Sequence, residues 1–281
     1  MSGRTRPTAI VTGASSGIGL YTALGLARAG MQVVMHGRNP VRTENARRFV
    51  AGRVAGTDLE IAIADFASLA EVRRLAAGIL AAHDRIDVLV NNAGLFARKY
   101  EVSADGFELT FAVNHLAPFL LTNLLLERLQ ASAPARIVTV ASEAHRGNRI
   151  DLATIAGPRG WSAMRAYGRS KLCNILFTRE LAARCAGSGA VAMALHPGVV
   201  ATRIGEHGGL AEIAWRLAKP FMKSPERGAA TSVFLATVPD PAPFAGGYVI
   251  GKELAQPDPA AFDRDLARRL WDESTRLVAG G

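Results

Sequence analysis

Thr8-Ala9-Ile10-Val11-Thr12-Gly13-Ala14-Ser15-Ser16-Gly17-Ile18-Gly19-Leu20 sets an apolar, β-rich run directly against a glycine-rich turn. A helical pattern follows at once, through Leu20, Ala23, Leu24 and Ala27 to Gly30. Strand, glycine turn and helix N-terminus in that order make a cradle for a pyrophosphate. Glycine permits the tight turn and close backbone approach, and unpaired N–H groups of the first helical turn face the anion. The glycines run Gly-x-x-x-Gly-x-Gly, one residue longer at the start than the usual Gly-x-Gly-x-x-Gly dinucleotide fingerprint. An ordinary glycine-rich turn shares that composition, but the strand before it and the helix after it favour the binding reading.

The same alternation extends along the chain. A second strand at 32–36 ends in Gly37-Arg38-Asn39, about 20 residues beyond the turn, where an acidic residue would accept the ribose 2′-hydroxyl of NAD. No Asp or Glu stands there; Arg38 does, and a planar guanidinium suits a 2′-phosphate. NADP(H) is therefore expected ahead of NAD(H), with Arg42 one turn further on. A third strand at 59–64 ends in Asp65-Phe66, placed to cap a helix or contact the adenine, and a helix at 69–82 follows. A strand at 87–90 runs into Asn91-Asn92-Ala93-Gly94, so that Asn92, Ala93 and Gly94 stand at a strand's carboxyl end, where open α/β sheets bind ligands. A long helix at 107–130 carries Asn114, a residue that is often simply a satisfied buried amide, and a fifth strand at 136–142 ends in Ser142. Residues 143–166 read as an active-site loop with Trp161 as a wall of the substrate pocket. The sixth strand, 191–196, closes in Pro197-Gly198-Val199-Val200-Ala201-Thr202. An apolar, amphipathic insertion at 205–222 reads as a lid, Ser224-Pro225-Glu226 as helix-start chemistry, 248–250 as a last strand and 259–278 as a closing helix. The alternation predicts an α/β fold: a single doubly wound Rossmann domain over 1–281, with a seven-stranded, mostly parallel sheet and helices on both faces.

Composition narrows the function. The chain has 281 residues, half of them apolar, and a net charge of +9. Its arginines are spread along amphipathic helices instead of forming a basic block with interleaved aromatics, so nucleic acid is not an expected partner. Six histidines and two cysteines show no metal spacing, and no metal is expected. Cys173 and Cys185 lie 12 residues apart in one predicted helix, roughly 18 Å at helical rise and beyond disulfide reach. No run of 18 apolar residues occurs and residues 1–7 are basic and polar, so a soluble, cytoplasmic protein with no membrane anchor is expected.

Tyr167-Gly168-Arg169-Ser170-Lys171 places a phenol and an amine four residues apart in a helical stretch. Residues i and i+4 share one helix face, so the two groups can converge on one ligand, and a nearby cation favours phenolate over phenol. By itself that spacing is weak support for catalysis.

Thr12-Gly13-Ala14-Ser15-Ser16-Gly17-Ile18-Gly19, Asn91-Asn92-Ala93-Gly94, Asn114, Ser142, Tyr167-x-x-Ser170-Lys171 and Pro197-Gly198 occur in this order along nearly the whole chain. Together they resemble the short-chain dehydrogenase/reductase family. Asn114-His115-Leu116, Ser142-Glu143-Ala144-His145, His196-Pro197-Gly198-Val199-Val200 and Phe221-Met222-Lys223-Ser224-Pro225-Glu226 are similar to its retinol dehydrogenase and WW-domain oxidoreductase branch, without that branch's membrane anchor or WW domains. The resemblance implies hydride transfer between nicotinamide and an apolar alcohol, aldehyde or ketone. It implies that Tyr167 moves the proton, that Lys171 lowers the tyrosine pKa and holds the nicotinamide ribose, and that Ser142 binds the substrate oxygen. Asn114 would hold a water linking Lys171 to solvent. The implied cofactor contacts are Gly13, Ser15, Ser16, Gly17, Ile18, Gly19, Arg38, Asp65, Phe66, Asn92, Ala93, Gly94, Tyr167, Lys171, Pro197, Gly198, Val200 and Thr202. It also implies a homo-oligomer, because the helices beside the serine and tyrosine commonly pair between subunits. The alternative is a sensor or scaffold that binds NADP(H) without catalysis.

Overall fold

In the computed structural model the described residues are 6–157, 160–198 and 224–280. Strands buried on both faces need unbroken apolar runs, and Ala9, Ile10 and Val11 of β1 (Thr8–Val11) are fully buried. The other strands are β2 (Gln32–Gly37), β3 (Leu59–Ile63), β4 (Val88–Asn91), β5 (Ala135–Val140), β6 (Ala190–His196), β7 (Tyr248–Ile250) and β8 (Glu253–Ala255). They lie in the order β3-β2-β1-β4-β5-β6-β7-β8. The first seven pair in parallel, and β8 turns back antiparallel on β7.

The sheet therefore has one strand more than the seven expected. Gly251 and Lys252 join β7 to β8 with φ of 61° and 77°, the doubly left-handed geometry of a tight hairpin turn. Lysine gives no sign of that conformation in a sequence, since its Cβ makes it unfavourable.

The chain leaves β3 at one edge and returns beyond β1, so the carboxyl ends of β1 and β4 diverge into a crevice at the point where strand order reverses. Helices α1 (Gly17–Arg28) and α2 (Pro40–Ala51) cover one face of the sheet. On the other lie α3 (Leu69–Ala82), α4 (Leu109–Phe111), α5 (Ala117–Ala131) and α6 (Ala163–Arg184). Helix α7 (Pro225–Thr237) returns to the first face and α8 (Arg264–Ala279) to the second. Asn39, Ser68 and Ser224 each cap a helix by accepting the N–H three residues on, as side-chain oxygens at such positions do.

Two helix starts differ from the sequence pattern. The helix expected from 107 begins at Leu109 because the Glu108 carboxylate accepts the Thr110 and Phe111 N–H groups. It then widens into a π-helical turn, Ala112–Leu116, before continuing as α5. By length and composition the stretch Leu109–Ala131 could cross a membrane, but 78% of its most apolar window is buried inside the fold, as befits a core helix. The closing helix starts at Arg264 because Pro259–Phe262 winds a tighter turn and Asp263 caps α8 through the Leu266 N–H. The insertion expected as a lid at 205–222 lies outside the described residues.

Candidate active site

At the phosphate end the backbone itself forms the surface. Gly13 has φ +66° and its absent Cβ would stand 2.9 Å from Ala93 Cα; a Cβ on Gly19 would stand 2.3 Å from the Gly13 carbonyl oxygen. The glycine loop is thus folded against itself and against Ala93 more closely than any side chain allows. Ser16, at the N-cap of α1, makes no capping bond, and the first turn carries no acidic residue. The helix's leading N–H groups are left for an anion. Arg38 reaches from the end of β2 to within 3.7 Å of Asp65, with 71% of its side chain exposed.

The catalytic end is built from side chains. Ser142 follows β5, caps the short turn Glu143–His145 and accepts the Ala144 N–H. Tyr167 and Lys171 lie in α6, whose start is capped by Ser162. Gly168 lets the loop after Ser142 close over α6, for a Cβ there would lie 2.6 Å from the Ala144 carbonyl oxygen. Lys171 is buried, donates to the Val140 carbonyl at 2.9 Å, and has its pKa lowered to about 8 by burial. Phe96 stands edge-on to the Tyr167 ring at 5.6 Å.

Lys171 is expected to lower the Tyr167 pKa, and the net direction in the fold is upward. Burial raises the phenol above its ordinary value, and the group acting in the opposite sense is Ser142, through a hydrogen bond that favours phenolate. Lys171 Nζ lies 5.6 Å from the Tyr167 ring centre and is engaged by Val140, so desolvation of the phenolate outweighs its attraction.

Gly13, Ser15, Ser16, Gly17, Ile18, Gly19, Arg38, Asp65, Phe66, Asn92, Ala93, Gly94, Ser142, Tyr167, Lys171, Pro197 and Gly198 all border one cleft of about 980 Å³. Residues far apart in the chain are brought together there. Val200 and Thr202 lie outside the described residues. Asn114 lies fully buried beneath the cleft, where its side chain accepts the Leu95 N–H and donates to Leu95 O and Ser170 Oγ. Phe66 borders the cleft but its ring is buried and stacked on His36 at 4.3 Å. The Asp65 carboxylate accepts the Ala67 N–H and pairs with Arg38. Trp161, expected as a wall of the substrate pocket, stands apart from the cleft. It donates to Glu108 and lines a separate void of about 20 Å³ with Arg169 and Ser170, which is room for a single water.

A family model described as short chain dehydrogenase matches residues 7–210. The chain belongs to the short-chain dehydrogenase family. It is 42% identical to retinol dehydrogenase 13 of Homo sapiens over 282 aligned residues, which span 96% of this chain and 84% of that protein. Among solved structures it resembles a protein of Mycobacterium paratuberculosis described as uncharacterized, with TM-score 0.79 and 34% identity over 98% of this chain and 94% of that one. It also resembles RhlG of Pseudomonas aeruginosa, solved as an active-site complex with NADP, with TM-score 0.70 and 28% identity over 86% and 93% of the two chains.

Two further residues hold this dehydrogenase's cleft together: Thr12, which opens the glycine-turn motif, and His36, which carries no signal in the sequence. Thr12 Oγ1 accepts the N–H groups of Asn92 and Ala93, both at 2.9 Å, and donates to Val90 O, which ties the end of β4 to β1. His36 accepts the Gly13 N–H on Nδ1, so its other nitrogen carries the proton and donates to Ala64 O. Burial holds its pKa down at about 4, which keeps it in that neutral form. Among the described residues no three His, Cys, Asp or Glu gather as a metal site, and both cysteines are buried and unpaired.

Proposed function

We propose that this protein is an NADP(H)-dependent oxidoreductase that transfers hydride between the nicotinamide and an apolar aldehyde, ketone or alcohol. One observation carries the reading: Ser142, Tyr167 and Lys171 converge at one end of a cleft whose other end is a bare glycine loop with Arg38 at its rim. The tightly folded glycine loop, which no Cβ at Gly19 would allow, and the uncapped start of α1 suit a pyrophosphate. Arg38 supplies a bidentate cation for a 2′-phosphate, at the cost of loosening its pairing with Asp65.

The bound dinucleotide supplies or accepts the hydride. Tyr167, held as a neutral phenol by burial, is in the state that donates a proton to a developing alkoxide, which suits carbonyl reduction. Ser142, beside the phenol, places a second hydroxyl near the same point and would hold the substrate oxygen there. Lys171 is mostly protonated at neutral pH, gives one N–H to Val140 and keeps two donors, for a ribose hydroxyl and a water. The space that a Cβ on Gly94 would take lies 3.3 Å from Asn114 Oδ1 and 3.5 Å from Lys171 Nζ. A water held between those atoms would resupply the proton. Leu95, Phe96 and Val140 give the cleft an apolar wall near Tyr167, and the likeness to retinol dehydrogenases supports an apolar substrate class.

A panel of apolar aldehydes, ketones and alcohols, followed by NADPH absorbance, tests the reading. Turnover of at least one carbonyl with NADPH preferred over NADH is expected. Tight NADPH binding with no turnover on the whole panel would transfer the protein to the sensor or scaffold class.

A further inference from the structure

Ser142 differs from Tyr167 and Lys171 in having no helix to hold it. Its peptide is held instead by His145, which is fully buried. The His145 ring has one nitrogen, Nε2, 2.9 Å from the Asp258 backbone N–H. A peptide N–H only donates, so Nε2 is the bare nitrogen and the proton sits on Nδ1. Nδ1–H then donates to the Ser142 carbonyl oxygen at 2.6 Å, and the same oxygen accepts the His145 backbone N–H at 3.1 Å. Around this ring the loop is tied to the segment after β8. Arg146 donates to Gln256 O at 2.7 Å and Gly147 N–H donates to the Asp258 carboxylate at 2.9 Å, while from β7 the Tyr248 OH donates to Glu143 at 2.9 Å.

We propose that His145 is a positioning residue. With its proton on Nδ1 it fixes the Ser142 peptide, thereby aims the Ser142 hydroxyl at Tyr167, and makes that aim depend on the docking of residues 256–258. A buried histidine that merely satisfied the core would stabilise the fold without touching the chemical step. Here the bonds from His145 run on one side to the peptide of the serine and on the other to a segment more than a hundred residues away.

The inference rests on the reading of Ser142 as the group that binds the substrate oxygen, and the test separates the two. His145→Phe removes both ring bonds, His145→Asn keeps a donor at the place of Nδ1, and His145→Gln keeps an acceptor at the place of Nε2. For each, kcat and KM for a carbonyl turned over by the unaltered enzyme are measured, with the NADPH Kd by fluorescence and the melting temperature. His145→Phe should lower kcat by about 10- to 100-fold, the scale of a small misplacement in an active site, with NADPH binding unchanged. His145→Asn should recover most of that loss and exceed His145→Gln. In a Ser142→Ala background, His145→Phe should cost no further rate, because both changes remove the same interaction. Full kcat in His145→Phe would overturn the inference, as would an equal loss with Ser142 already absent. Should His145→Phe not fold, the order of Asn and Gln decides, and Gln above Asn sinks it. Failure of the unaltered enzyme on every carbonyl would instead remove the oxidoreductase reading, and this inference with it.

Discussion

Where β1 runs out, Gly13 and Gly19 leave bare main chain facing the cleft; where β5 runs out, Ser142, Tyr167 and Lys171 present side chains whose protons matter. The glycine end works by what is missing, since a Cβ at Gly13 or Gly19 would push apart the main chain packed against it. Its polar groups are backbone donors that hold no titratable proton. The catalytic end works by burial, which shifts Tyr167 up and Lys171 down and keeps both in defined states. Main-chain donors in a local turn tolerate little change of shape, whereas buried side chains tolerate little change of chemistry. The contrast teaches that one cleft can fail in two separable ways.

The largest break in that separation should come from Tyr167→Phe. Loss of the hydroxyl should lower kcat by about 10²- to 10⁴-fold, the usual contribution of a positioned acid, while NADPH still binds. Near-normal turnover would remove Tyr167 from the chemistry altogether. Gly19→Ala should do the reverse. A Cβ 2.3 Å from the Gly13 carbonyl oxygen and 2.5 Å from Asn92 Nδ2 would have to push the loop's backbone aside, so about 1–3 kcal/mol of overpacking should appear as weakened NADPH affinity and a lower melting temperature. If titration showed wild-type affinity, the close approach would have no part in binding.

Arg38→Ala sharpens the comparison at the rim. A charged hydrogen bond is worth about 1.5–3 kcal/mol, so NADPH affinity should fall by roughly one to two powers of ten while NADH affinity holds. Equal losses for both cofactors would show that Arg38 does not read the 2′-phosphate.

The smallest effect concerns His36, which joins the glycine loop to the ends of β2 and β3. Its pKa in the fold, about 4, lies below the ordinary 6.5. Its contribution to stability is therefore complete above the ordinary value and is lost as pH falls from about 6.5 towards 4, because the unfolded chain binds the proton first. His115, lowered to about 3 by burial in the core, acts in the same sense. Melting curves should show a fall in stability on the order of 1–3 kcal/mol over that window, with a shallower slope in His36→Asn. An unchanged slope would mean that other groups set the acid limb.

Much of the fold was legible because its signals are local. Ser68 before Leu69, Ser224 before Pro225 and the apolar run at Thr8–Val11 each announce an element by chemistry within a few residues. The glycine turn, Arg38, Ser142, Tyr167 and Lys171 could be named for the same reason. Trp161 was misplaced because its aromatic character says nothing of direction, and it turns to Glu108 and away from the cleft. Phe66, expected at the cofactor, borders the cleft while its ring also stacks on His36. The strand β8 was missed because a lysine hides the left-handed turn that makes it.

The sequence by itself determined the alternation of strands and helices, the glycine turn after β1, and the places of Ser142, Tyr167 and Lys171 along the chain. Those depend on period, spacing and residue type, which need no knowledge of distant neighbours. Only the tertiary structure decided the proton states: that burial raises the Tyr167 pKa, that Lys171 is held by Val140, and that His36 and His145 are neutral with opposite tautomers. Burial and hydrogen-bond direction are properties of the assembled neighbourhood, and the partners that set them lie tens to more than a hundred residues apart in the chain.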